Sequence, residues 1–186
     1  MIPYGILLPV KRKYSKLILD GKKIAEVRKQ IPKINLPCQV YIYESFGTQR
    51  YVSDELWGDK YPEWFGYEIF KEFKPFREYF TQRLITEGRG SIVARFTLES
   101  IETINPDWEE SSYDVDDDLL NDLKLSIREL INYGHGEKVY AWRISNLKIV
   151  NEIKLSDIDV KHAPQSIQYL SQEQVNELDR LNDIPF

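Results

Sequence analysis

The sequence predicts an α+β fold: a small, mainly antiparallel sheet curled into a barrel, with helices at its side. Three observations predict it. Strand-like segments outnumber helical ones, most connections between them are too short for parallel crossovers, and apolar residues alternate along the strands. A chain of 186 residues with 42% hydrophobic and 13% aromatic content can bury a core and is too apolar to be disordered over most of its length.

The elements follow in order. "YGILLPV" is a short apolar run bounded by glycine and proline, which predicts a buried strand. "KRKYSKLILDG" sets Tyr14, Leu17 and Ile18 at helical spacing and stops at Gly21, a favoured residue just past a helix end. "KIAEVRK" alternates, with Ala25 and Val27 facing one way and Ile24, Glu26 and Arg28 the other, as in a strand with one buried face. "CQVYIYES" continues as a strand after the proline-bounded "PKINLP".

Residues 46–89 differ in texture, being crowded with aromatics and interrupted by Pro62 and Pro75. They read as an inserted, partly helical subdomain whose large side chains form a local core; a patch left exposed between Tyr61 and Phe80 would instead serve a protein partner. "GSIVARFTLESIETI" predicts a strand with Ile92, Ala94, Phe96 and Leu98 on one face. "DLLNDLKLSIRELINYG" predicts one amphipathic helix with Leu119, Leu123, Ile127 and Leu130 in a stripe ending at Gly134. "EKVYAWRISNLKIVNEIKL" supplies one long or two short strands, "HAPQSIQYL" a further extended segment, and "SQEQVNELDRLND" a terminal helix capped by Ser171.

Charge is unevenly spread behind a net of −5. Between Lys11 and Lys33 nine basic residues face two acidic ones, whereas between Glu99 and Glu129 eleven acidic residues face Lys124 and Arg128. This pattern describes two solvated faces of opposite sign, or a basic face that attracts phosphates beside an acidic face that limits nonspecific binding. One cysteine, Cys38, excludes an intrachain disulfide, and with two histidines it cannot supply an ordinary zinc site. No phosphate-loop, dinucleotide-binding or zinc-deaminase motif is present, so no cofactor or metal is expected. His135 and His162 sit beside glycine or proline and read as loop residues. The opening "MIPYGILLPVKRKY" has an apolar run too short to span a membrane and lacks the order of a signal peptide, so no membrane association and a cytoplasmic location are expected.

The stretch "DGKKIAEVRK" is the candidate site. Glu26 and Arg28, two apart on a strand, emerge on the same face, and Lys22 and Lys23 lie in the turn that feeds it. By spacing alone this describes either an exposed ion pair among solubilising lysines or the lining of a cleft. In a cleft Arg28 contacts a phosphate or base edge, Lys23 supplies a point charge or is paired by Glu26, and Glu26 accepts from a base amino group.

Five ordered blocks carry a resemblance. The first runs through Lys11, Lys13, Tyr14, Ile18, Leu19, Gly21, Lys23, Glu26 and Arg28. It is followed by "VYIYES", then Gly90, Ile92, Val93 and Phe96, then Tyr140, Ala141 and Ile144, and finally "APQSIQYL". Together they resemble the ASCH-domain family of the PUA-like superfamily. The resemblance implies a PUA-like β-barrel over residues 1–170, with 46–89 inserted and a helical tail at 171–186. It also implies a cleft lined by Lys23, Glu26 and Arg28.

Such domains are thought to bind RNA or modified nucleotides, and some relatives are small hydrolases of N4-acylated cytidine. In those relatives a lysine at the Lys23 position works with a threonine where Glu26 stands, so the resemblance favours recognition over the same hydrolysis. The leading expectation is therefore an RNA- or nucleotide-binding protein: Lys11, Lys13, Lys23 and Arg28 hold phosphates, Glu26 holds a base, and Tyr14 or Trp142 stacks on it. The alternatives are a small hydrolase of an acylated nucleobase or of RNA, with Lys23 and Glu26 moving protons, and an interaction module built on the insertion.

Overall fold

The computed structural model describes residues 3–50 and 84–182. The chain divides into two compact units, one comprising residues 1–45 and 89–186 and the other residues 46–88. The predicted insertion core and the Tyr61 to Phe80 patch lie outside the described residues.

The first unit holds strands β1 (Gly5–Lys11), β2 (Ala25–Arg28), β3 (Cys38–Ser45), β6 (Ser91–Asp107), β7 (Ser112–Asp114), β8 (Val139–Ile153) and β9 (Gln168–Leu170). With them are helices α1 (Arg12–Leu19), α2 (Asp117–Leu123), α3 (Ile127–Gly134) and α4 (Gln172–Asn182), and a 3-10 turn at Leu155–Ile158. In the second unit, β4 (Gly47–Arg50) and β5 (Leu84–Glu87) pair as an antiparallel ladder.

The sheet of the first unit is mixed and has seven strands, running β2-β8-β6-β3-β1-β9, with β7 paired to β6. Only β1 and β3 pair in parallel among its described ladders. This confirms an α+β fold, but the path is open: among the described residues β2 and β9 do not pair, so barrel closure is not part of the observed sheet.

β1 is a continuous apolar run because it is covered on both faces. Ile6, Leu8 and Val10 enter one core cluster with Val40, Ile42, Phe96, Leu98 and Trp142, while Leu7 enters a second with Tyr41, Tyr43, Ile158 and Leu178. A third cluster gathers Ala25 and Val27 of β2 with Leu123, Leu130, Val139 and Ala141. The terminal helix α4 buries Leu178 and carries Asp179 to Arg95. As expected, Ser171 caps it, accepting from Gln174 N at 3.3 Å.

Two expectations are corrected. The single helix predicted over residues 118–134 is two helices. Lys124 adopts a left-handed conformation at φ 49°, and Ser126 opens α3 with a capping box in which its side chain and that of Glu129 each satisfy the other's backbone N–H. That reciprocal pair makes a new helix start favourable inside an otherwise helical pattern, and it leaves Ile127 exposed rather than in the stripe. Ile92 also leaves the predicted face. A register shift between Ile92 and Ala94 against β8 sends Ile92 into the cluster of Tyr41 and Tyr43, while Ala94, Phe96 and Leu98 stay with Val40. A bulge adds one residue to the count, and with a side-chain period of two that exchanges the faces.

Gly134 closes α3 for a packing reason. A methyl group there would lie 1.8 Å from Tyr113 Oη and 2.5 Å from its Cζ, and that hydroxyl is held in place by donating to Glu137 O at 2.8 Å. Gly134→Ala is therefore expected to destabilise the protein by about 1–3 kcal/mol, as for overpacking in general. A urea melt measures this, and an unchanged midpoint would show that Tyr113 is free to move aside.

Candidate functional site

The geometry of the candidate stretch begins at the end of α1. Gly21, at φ 68°, donates to Ile18 O, and Lys22 donates to Leu17 O, each at 2.9 Å. These two bonds form a Schellman motif, which needs a residue tolerant of positive φ at Gly21. The reversal delivers Lys23 inward. Ile24 then bonds on both sides, donating to Asp122 O and accepting from Ile144 N, so β2 begins already tied to α2 and β8.

Lys23 is 1% exposed. Its ammonium donates to Leu123 O at the C-terminal end of α2, stands 3.3 Å from Glu26 Oε2, and lies 5.5 Å from the centre of the Tyr14 ring. A helix C-terminus, a carboxylate and an aromatic face all favour a cation, which is how a lysine is tolerated inside. Burial nevertheless pushes the Lys23 ammonium below the ordinary lysine value, opposed by the nearby Glu26 carboxylate.

Glu26 is the hinge of the arrangement. Its Oε1 pairs with Arg28 Nη2 at 3.1 Å, and Arg28 Nη2 also donates to Pro9 O at 2.8 Å. The contact of Glu26 Oε2 with Lys23 is an ion pair without hydrogen-bond alignment, so Oε2 has no hydrogen-bond partner; nor has Arg28 Nε. Trp142, the cross-strand neighbour of Glu26, likewise buries its Nε1 without a partner.

The structure brings Tyr14, Lys23, Glu26 and Arg28 together and places Lys13 above them. Lys13 Nζ lies 5.1 Å from the Tyr14 ring centre and pairs at 2.8 Å with Glu129 of α3. Lys11 stands apart, exposed where β1 meets α1. Trp142 requires a correction. It is wholly buried in the core cluster that also holds Leu8 and Phe96, so its ring has no face for a base to stack on. Ala141 and Trp142 are adjacent on β8 and both wholly buried, one in each of two core clusters, so the strand is covered on both faces there.

Three features were missed in the sequence. Glu129 was hidden inside the assumed single helix, although Ser126-x-x-Glu129 is a capping-box pattern. Tyr133, one turn further on the same helix, is half-buried, and Lys29 Nζ lies 5.6 Å from its ring centre. Glu44 is a charged residue in an apolar strand, 1% exposed; it accepts from Arg12 at 2.9 Å and from Ser15 at 2.6 Å. Among the described residues no group of three or more His, Cys, Asp and Glu is placed to hold a metal. Cys38 is buried, which pushes its thiol up to about 11.

A mixed, open α+β sheet with helices on both faces defines the class of fold. It is the ASCH-domain fold. The structure of ASCH from Zymomonas mobilis matches with a TM-score of 0.61 over 97% of this chain and 96% of that one, at 18% identity. Two point variants of the same protein match with TM-scores of 0.61 and 0.62, also at 18% identity; the first covers 97% of this chain and 99% of its own, and the second 98% and 100%. At that identity the likeness is one of fold. No family model and no curated protein matches the chain. Among the described residues no helix is long and apolar enough to cross a membrane.

The lowered Lys23 value fixes the sign of a pH effect. The unfolded chain holds this proton up to its ordinary value near 10.5, while the fold releases it earlier. Stability from Lys23 therefore rises as pH climbs from the folded value towards 10.5. Denaturant melts of wild type and Lys23→Met should show the difference between them moving in favour of wild type from neutral to alkaline pH; a flat difference would mean that Lys23 is not desolvated.

Proposed function

We propose that this chain is an ASCH-domain protein that binds RNA or a nucleotide at the Lys23, Glu26 and Arg28 cluster. The observation that carries the reading is a pair of buried polar atoms without a hydrogen-bond partner on one strand face: Glu26 Oε2, which has only its ion pair with Lys23, and Arg28 Nε. Buried polar groups in folded proteins are nearly always hydrogen-bonded, and unpaired ones mark places where something else completes the bonding. An acceptor beside a planar donor fork matches the amino and acceptor groups of a base edge, and the half-buried Tyr14 offers a ring beside them. The domain in this reading spans residues 1–170, with 46–89 as an insertion and 171–186 as a terminal extension, and it works in the cytoplasm. In this reading Lys13, beside Tyr14, supplies a phosphate contact near the cluster, and Lys11, exposed where β1 meets α1, supplies one further along the ligand.

A second reading is favoured by one specific observation. The buried Lys23 has a lowered proton affinity and stands 3.3 Å from Glu26, the arrangement required of a proton-transfer pair in a small hydrolase of an acylated nucleobase or of RNA. Glu26 replaces the threonine of the hydrolase relatives, so in this reading the pair activates a water rather than a side-chain nucleophile.

For the binding reading, titration with short single-stranded RNA should show affinity falling as salt rises, and Arg28→Ala should weaken it about tenfold or more, as for loss of one charge-assisted contact. An arginine variant that binds like wild type would remove the cluster from the interface. For the hydrolytic reading, incubation with N4-acetylcytidine should release cytidine; release no greater than from a Lys23→Ala control ends that reading.

A further inference from the structure

Three of the four charges nominated for phosphate contact are already engaged within the protein. Lys23 is tied to Leu123 O and Glu26, Arg28 to Pro9 O and Glu26, and Lys13 to Glu129. The Lys13 to Glu129 pair differs from the others in being exposed and in joining two helices, α1 and α3. Beneath it a continuous stack runs inward: Glu129, Lys13, the Tyr14 ring, Lys23, Glu26 and Arg28. One tyrosine ring thus has an ammonium near it twice over, and the outer ammonium carries a carboxylate where a ligand phosphate would sit.

We propose that Glu129 sets the charge selectivity of this site: it is an internal anion at Lys13, so the site as built favours a ligand through its uncharged base, and a phosphate reaches Lys13 only by displacing Glu129. The inference rests on the nucleotide-binding reading above and narrows it to ligands recognised by the base first. Two further facts support it. Glu129 is held by its capping box, with Ser126 N donating to Oε2 at 3.0 Å, while Oε1 is turned to Lys13, so the carboxylate is aimed and not merely nearby. Lys13 and Ser126 hold the Glu129 carboxyl at about 2, well below the ordinary range, so it remains an anion throughout the physiological range.

Glu129→Gln is the informative variant, because glutamine also completes a capping box and should leave the helix start intact. Binding of the four nucleosides and of a short mixed-sequence RNA is measured for wild type, Glu129→Gln, Lys13→Ala and the double variant, across a salt series. Glu129→Gln should tighten RNA binding about tenfold while leaving nucleoside affinity unchanged, and it should steepen the salt dependence by about 0.7 in the log-log slope, one more phosphate contact on a single strand. Lys13→Ala in the same chain should abolish that gain. The proposal is overturned if Glu129→Gln leaves RNA affinity unchanged, if nucleosides gain equally, or if the gain survives without Lys13. An inert Glu129→Gln alongside a wild type whose RNA binding depends on Arg28 would remove only the role of Glu129. Absence of binding of any nucleoside or RNA by any variant would overturn both the nucleotide reading and this one.

Discussion

The arrangement depends on the burial of one ammonium. Lys23 sits where α1, α2, β2 and Tyr14 converge, and the groups around it each belong to a different part of the chain: Leu123 O, the Glu26 carboxylate and the Tyr14 ring. An unpaired lysine inside a core would cost several kcal/mol, so these partners constrain one another. The Glu26 carboxylate pairs with Lys23, and it is kept in reach by Arg28, which is itself anchored on Pro9 O. Loss of any one member leaves a charge buried without its partner. The cluster is thus structural, and the contacts that hold it together still leave Glu26 Oε2, which has only its ion pair with Lys23, and Arg28 Nε without a hydrogen-bond partner.

The charge asymmetry of the sequence takes a particular form in the fold. Part of the acidic stretch is neutralised in place, because Arg143 on β8 pairs with both Glu102 and Asp122. Asp122 also lends its backbone carbonyl to Ile24, which opens β2. The basic segment is likewise less free than its composition implies: Arg12 is committed to Glu44, Lys13 to Glu129, and Lys23 and Arg28 to Glu26. Net charge therefore overstates the pull this surface exerts on polyanions, and the geometry of the few unpaired atoms carries more information than the sum.

Legibility in the sequence followed the range of the physics. The turn at Gly21, the alternation of Ala25 and Val27 against Glu26 and Arg28, and the cap at Ser171 were readable because each is decided by residues a few positions apart. The split between α2 and α3 was local too, in the capping box of Ser126 and Glu129, but a continuous apolar stripe concealed it. Ile92 and Trp142 were misread for different reasons. The environment of Ile92 is set by a register shift, which no spacing rule encodes, whereas Trp142 shares a strand face with Tyr140 and Ile144, a spacing more typical of core than of a stacking platform. The site was legible to the extent that Glu26 and Arg28 share a face and that the hydrolase alternative requires a desolvated Lys23 beside Glu26; that Glu129 faces Lys13 across 116 positions was not.

That sequence distance has a consequence for the order in which the protein comes into being. β2 has no ladder partner until β8 supplies residues 140–143, and Lys23 has no carbonyl to bind until Leu123 arrives, 100 residues later in the chain. Contacts of such range form late, after shorter loops have closed. A growing chain emerging from the ribosome therefore carries its basic segment without the framework that organises it until those residues have been made. The cluster of Lys23, Glu26 and Arg28 is therefore complete only once Leu123 and the strand bearing Trp142 have emerged, so topology alone sets when it assembles.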